Sequence, residues 1–143
     1  MASNMPIEKA FIISKIGLLK ENLDKIKEGL KISDEEILHS DKDLASLERY
    51  FQLIVDYAIS INHHLIKEGN FSVPDDLEST FVILGKQGVL PKDFSLKISK
   101  SVGLRNRIVH QYEDVKPAVF VEILRKDIGD YDEYIKHILS LLK

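Results

Sequence analysis

Gly103-Leu104-Arg105-Asn106-Arg107-Ile108-Val109-His110-Gln111-Tyr112-Glu113-Asp114 is the stretch on which the reading of this chain turns. Continued as a helix at about 100° per residue, it places Leu104, Ile108, Val109 and Tyr112 on one arc, and Asn106, Arg107 and His110 opposite. Arg105 falls inside the apolar arc, beside Tyr112 and Val109. A guanidinium keeps its proton and is rarely buried alone, so Arg105 requires a carboxylate, a carbonyl or a phosphate. His110, five residues on, is the side chain here that moves protons near neutral pH without special tuning. Read singly, these residues amount to an Arg in a structural ion pair and a surface His.

Outward from this stretch, helical periodicity continues in both directions. From Ile7 to Leu30, apolar residues recur at Ile12, Ile16, Leu19, Leu23, Ile26 and Leu30, in threes and fours. Gly17 inside that run is expected to permit a close helix contact. Ser33 and Glu36 have capping-box spacing for a short helical turn through Ile37-Leu38, and Ser40 offers a cap for the next helix. That second long helix, about Asp43 to Lys67, has a buried face of Leu44, Leu47, Phe51, Ile54, Ala58, Ile61 and Leu65. A polar stripe of Arg49, Gln52, Asp56 and His63 recurs opposite. Arg49, Asp56 and His63 are seven apart and therefore differ by only about 20° in direction. The stripe either faces solvent or walls a cleft in which Asp56 or another acid partners Arg105.

Gly69-Asn70 ends that helix, and Val73-Pro74-Asp75-Asp76 starts a third, with Leu77, Phe81 and Leu84 as its stripe. Gly85 to Gly88 stops it. Pro91 opens a fourth, with Phe94, Ile98 and Val102 spaced by four, and Gly103 marks a bend or a close contact before the motif. Pro117 is a natural first residue of the last helix, which carries Val121, Leu124, Ile128, Tyr131, Ile135, Ile138 and Leu142. No strand-like alternation interrupts the sequence. These patterns predict an all-α, up-and-down helical bundle of four long helices plus short ones. At 143 residues it is expected to form a single domain over 1–143, with residues 1–6 a disordered or ragged start.

Composition narrows the function. No apolar run approaches a membrane span, no signal peptide precedes the first helix, and there is no cysteine, so a cytoplasmic protein without disulfides or thiolate metal sites is expected. A formal charge of −3 argues against general adhesion to nucleic acid. Between Lys92 and His110, however, five basic residues (Lys92, Lys97, Lys100, Arg105, Arg107) face one acid, Asp93. They form either an ordinary solvated helix face or a phosphate-facing patch beside the motif. His63 and His64 are adjacent, hence about 100° apart on a helix, and cannot both bind one metal ion there. No strained nucleophile elbow and no Gly-rich phosphate loop after a strand are present. The Arg-His-Tyr stretch is what remains.

Arg105, four residues, His110, one residue, Tyr112, preceded by Gly103-Leu104 and followed by Glu113-Asp114, resembles the signature of the HepT-type toxins of the HEPN superfamily. The long helix containing Arg49 to Ile66, Val73-Pro74, Gly85-x-x-Gly88-Val89-Leu90-Pro91 and Val115-x-Pro117 fall in the family's order, so the resemblance runs from about residue 7 to the end. It implies a HEPN-like helical fold and a metal-independent endoribonuclease without cofactors. RNA supplies its own nucleophile, the 2′-hydroxyl, so the protein need only move protons and stabilise a charged phosphorane. In this mapping Arg105 binds and polarises phosphate, His110 transfers protons and Asn106 orients one of them. Arg107, Lys100, Lys97 and Arg49 would contact RNA phosphates, supported by Asp56 and His63.

The resemblance also implies a homodimer with the site in a two-fold cleft, and irregular helix geometry between Arg105 and His110. Tyr112 would accept AMP from a minimal nucleotidyltransferase of the MntA type, making the chain the toxin of a type VII toxin–antitoxin pair. A nucleotide there would fill the phosphate site and repel RNA. Otherwise Tyr112 is a buried aromatic with its hydroxyl tied to a neighbour. The alternative function is a non-catalytic HEPN nucleotide- or RNA-binding module that docks a nucleotidyltransferase, and a third is an interaction scaffold whose polar groups only hold the dimer together.

Overall fold

Seven helices organise residues 7–110 and 115–143, the part of the chain that the computed structural model describes. In order they are α1 (Lys9–Gly29), α2 (Asp34–Leu38), α3 (Asp41–Glu68), α4 (Leu77–Lys86), α5 (Lys92–His110), α6 (Pro117–Asp127) and α7 (Gly129–Leu141). No strand occurs among the described residues. The ragged start expected over residues 1–6 lies outside them, as do Gln111, Tyr112, Glu113 and Asp114.

The central element is α3, which α1, α2, α4 and α5 all pack against. Its stripe is buried at Leu47, Phe51, Ile54, Ala58, Ile61 and Leu65, and Val55, Ile59 and Ile66 widen it enough to meet neighbours on several sides. The Phe51 ring meets Phe120 of α6 edge-on, and the hydroxyl of Tyr134 on α7 donates to the Ala58 carbonyl at 3.1 Å. Each large aliphatic side chain buried this way stabilises the bundle by roughly 1.5–3 kcal/mol. No helix among the described residues is long and apolar enough to cross a membrane.

Local chemistry sets the helix ends. Ser33 and Glu36 form the reciprocal capping box at α2, and Ser40 Oγ accepts from the Asp43 N–H at 3.2 Å to start α3. At the end of α3 the left-handed residue is Asn70 (φ 54°), not Gly69, whose φ is an ordinary −82°. Phe71 N–H then returns to the Ile66 carbonyl at 3.0 Å. Asp76 and Ser79 cap α4 reciprocally, and Gly88 at φ 77° closes it, letting the Val89 N–H reach the Leu84 carbonyl at 2.9 Å. A Cβ at Gly85 would collide with Ser95 Oγ, so this glycine sets the close approach of α4 to α5.

Several expectations need correction. The last helix is two: the ladder breaks at Ile128, where the Tyr131 N–H bonds three residues back to the Ile128 carbonyl at 3.1 Å. Gly129, a poor helix former, follows directly, while Ile128 keeps helical angles (φ −61°, ψ −28°). The apolar stripe therefore survives the break and Tyr131, Tyr134 and Ile138 still reach the core. Gly17 makes no close helix contact, for nothing lies within 4 Å of a Cβ placed there. Gly103 likewise has open space around it, and α5 passes through it to His110 as regular α-helix, without the expected irregularity. Leu77, expected in a buried stripe, is 38% exposed.

Candidate active site

Arg105 reaches out of α5 toward α3. Its Nε donates to Asp56 Oδ1 at 3.1 Å and its Nη1 to Asn106 Oδ1 at 2.9 Å, while Nη2 lies 2.9 Å from the same Asp56 oxygen as an ion-pair contact. The Arg105 side chain is only 15% exposed and that of Asp56 36%, so the pair is screened less than a surface ion pair. The alignment of the α3 stripe brings Asp56 to this point. Two of the five guanidinium N–H groups are thus hydrogen-bonded, Nη2 adds an ion-pair contact, and the plane is held from both helices. The remaining N–H groups hydrogen-bond to no described residue, which leaves donors for an anion's oxygens.

His110 is the last residue of α5 and is exposed. Its imidazole stands at the negative end of the helix dipole. Five residues from Arg105, it projects about 140° away around the helix, so one chain presents the two on different sides of α5. Tyr112 lies outside the described residues.

The five basic residues of α5 part company. Lys97, Lys100 and Arg107 line a groove of about 520 Å³ between α5 and the α6–α7 pair, over Leu104, Ile123 and Leu124. Lys92 is exposed near the start of the helix, outside that groove, and Arg105 faces α3 instead. Lys97 pairs with Asp130 at 3.0 Å, and this hydrogen bond and the carboxylate's charge raise the ammonium above its ordinary range. Lys126 joins the same groove from α6. The sequence reading missed it because its approach to α5 depends on tertiary packing. Tyr131 lines the groove too, sharing a 2.7 Å hydrogen bond with Ser101. Burial pushes its phenol far above the ordinary range, although the Ser101 bond acts in the opposite direction, so it is no proton carrier near neutrality. Arg49 is exposed on α3 and lines neither of the grooves around Asp56 and Asn106.

Those two grooves open beside the Asp56–Arg105–Asn106 cluster. One, of about 620 Å³, has Asp56, Ile59, His63, Lys67, Phe11 and Leu77 among its walls. The other holds Asn106 and Val102 from α5 with Asp75, Asp76 and Glu78 opposite. His63 borders both. His64 lines the first groove as well, but it is committed: its Nε2 accepts from the Glu8 N–H at 3.3 Å and its ring packs on Phe11. Among the described residues no three His, Cys, Asp or Glu side chains gather as metal ligands. The arrangement supplies an oriented guanidinium and an exposed imidazole at one helix end, groups suited to binding an oxyanion and moving protons.

Comparison with known proteins agrees with the motif. A family model described as ribonuclease HepT-like matches residues 19–138. The chain is 32% identical over 136 residues to the tRNA nuclease HepT of Aphanizomenon flos-aquae, covering 95% of this chain and 92% of that protein. It is 23% identical over 128 residues to the mRNA nuclease HepT of Shewanella oneidensis, covering 87% and 92%. A solved structure of the tri-AMPylated Shewanella oneidensis HEPN toxin in complex with MNT antitoxin superimposes with a TM-score of 0.84 at 22% identity, covering 91% of this chain and 97% of that one. With a matching model over most of its length and a relative above 30% identity, this chain belongs to the ribonuclease HepT-like family.

Proposed function

We propose that this protein is a metal-independent endoribonuclease, the toxin of a toxin–antitoxin pair, acting on cytoplasmic RNA. The observation that carries the reading is the Arg105 guanidinium, held by Asp56 and Asn106 with N–H donors left over, in a HepT-like chain. Arg105 binds the scissile phosphate and stabilises charge on its oxygens. Asn106 orients it through the 2.9 Å bond to Nη1. His110 transfers protons, aided by the suitability of imidazole for that work near neutral pH. Lys97, Lys100 and Arg107, with Lys126, provide cationic ground for the RNA backbone, and Arg49, exposed on α3 outside that groove, is a separate phosphate contact.

Both the tRNA and the mRNA nucleases named above support RNA as the substrate class, and the higher identity of the tRNA nuclease favours tRNA. The different directions of Arg105 and His110 support a homodimer, in which a two-fold axis sets the motif of one protomer beside that of its partner. Neutralisation follows from AMP transfer to Tyr112 by an MntA-type nucleotidyltransferase: the added phosphate occupies Arg105 and repels RNA. The toxin of similar fold, AMPylated and bound to an MNT antitoxin, supports this partner.

Expression without the nucleotidyltransferase tests the reading. Growth arrest that His110→Ala abolishes, and that co-expression relieves with a mass increase of one or more AMP units absent from Tyr112→Phe, is expected. Normal growth with abundant, unmodified protein would favour the non-catalytic binding module instead.

A further inference from the structure

The strand-cleaving chemistry proposed above needs two proton movements on opposite sides of one phosphorus. The 2′-oxygen attacks, the 2′-O–P bond forms and the P–O5′ bond breaks. The 2′-hydroxyl proton leaves to a base and O5′ receives a proton from an acid, giving a 2′,3′-cyclic phosphate and a 5′-hydroxyl. Because attack and departure are roughly in line, a single fixed imidazole cannot serve both oxygens at once. His110 projects about 140° around α5 from Arg105. The dimer proposed above would bring a second motif imidazole to the cleft; within one protomer, the opposite wall of the Arg105 cluster is α3, and α3 carries an imidazole of its own.

We propose that His63 is the second proton-transfer residue of this centre, contacting the RNA where it crosses from the Asp56 groove to the Asn106 groove. Three observations carry it, resting on the ribonuclease reading. First, His63 is the side chain common to α3 in both grooves, one of which includes Asp56 and the other Asn106, the two acceptors that hold Arg105. Arg105 itself lines neither groove, so the link runs through its two partners: a nucleotide chain held by Arg105 and running past Asp56 or Asn106 into either groove meets this imidazole. Second, Asp56 and His63 are seven residues apart on one regular helix, so they share a direction within about 20° and lie about 10 Å apart along the axis.

Third, His63 is exposed and makes no hydrogen bond, ion pair or ring contact among the described residues, whereas the other histidines outside the motif are committed. His39 Nδ1 lies 2.8 Å from the Glu35 carbonyl, His64 is held by Glu8 and Phe11, and His137 Nε2 sits 3.1 Å from Glu133. The 620 Å³ groove is of ligand size, and Phe11, Ile59 and Leu77 give it an apolar wall for a base or ribose. The charged and titratable groups around His63 are Asp56, His64 and Lys67 from α3, and Asp75, Asp76 and Glu78 from the α4 side. Asp76 is occupied as the α4 cap.

The test is the pH profile of kcat/KM between about pH 5 and 9 for cleavage of total tRNA by the full-length protein, with intact mass confirming an unmodified chain. The wild type is expected to give a bell. His63→Gln should lower kcat by about 10²–10⁴-fold with little change in KM, and remove one limb of the bell. His63→Ala should regain part of the rate with free imidazole. A His63→Gln enzyme that keeps both limbs, or one that loses only KM, overturns the proposal, as does His63→Ala without imidazole rescue. If the wild type itself cleaves nothing, the ribonuclease reading fails and this inference with it. Wild-type cleavage beside an unaltered His63→Gln profile leaves that reading standing and removes only the role of His63.

Discussion

Two polar clusters sit less than two turns apart along α3, and they are built on opposite terms. The first is buried. Asn62, fully inaccessible, donates to Thr80 Oγ1 at 3.1 Å and accepts from the Tyr134 hydroxyl at 2.6 Å, while Thr80 donates to the Leu77 carbonyl at 2.7 Å. It joins α3, α4 and α7, and burial drives the Tyr134 phenol well above its ordinary range, keeping it a neutral donor. No buried side-chain polar atom among the described residues lacks a partner. The second cluster, Asp56–Arg105–Asn106, is only partly enclosed and spends two of five guanidinium N–H groups in hydrogen bonds. The difference teaches how to tell structural polarity from functional polarity. A network closed on itself fixes packing, whereas one that orients a charged group and leaves some of its donors unused is prepared for a ligand.

That contrast breaks most visibly at Arg105. Arg105→Lys retains the charge but not the fork, and should reduce RNA cleavage about 10³-fold, equivalent to about 4 kcal/mol, with little change in urea-unfolding stability. Comparable cleavage by the Lys variant would mean that simple charge suffices. Asn62→Ala should do the reverse. Stripping partners from Tyr134 and Thr80 in a dry interior should lower unfolding free energy by about 2–3 kcal/mol, while cleavage per folded molecule stays near wild type.

Smaller effects sharpen the comparison. Asp56→Ala frees Arg105 to wander and should lower kcat/KM about tenfold, about 1.4 kcal/mol, with the loss partly restored in Asp56→Glu. An unchanged kcat/KM would make Asp56 a surface acid only. Least of all is Glu48→Gln. Burial raises the Glu48 carboxyl above its ordinary value of 4.5. An acid whose folded-state pKa is raised contributes stability at low pH and loses it as pH rises through the folded value. The amide should therefore be slightly more stable than the wild type at pH 7, because Glu48 is partly exposed and screened, and no more stable once pH falls below the ordinary carboxylate range. Denaturant titrations at both pH values measure this directly.

How much of this was readable beforehand depended on range. The caps at Ser33 and Ser40 were legible because each depends on residues three apart. The alignment of Arg49, Asp56 and His63 was legible from helix geometry alone, and it led to Asp56 as one candidate partner for Arg105. The Asn62 network was not, since it joins residues 18 and 72 positions apart and Asn62 lies between stripe positions that read as purely apolar. The break at Ile128 escaped notice because the apolar stripe continues unbroken across it. Lys126 was missed for the same reason as Asn62: only the packing of α6 against α5 sets it beside Lys100 and Arg107.

The most direct measurement is cleavage of total tRNA and mRNA by the purified, unmodified protein in EDTA, beside His110→Ala. Cleavage that persists without divalent metal and disappears in the variant is the predicted result. A folded dimer of unmodified mass that leaves both RNAs intact would contradict the account, and would make the oriented Arg105 a recognition element rather than part of a ribonuclease.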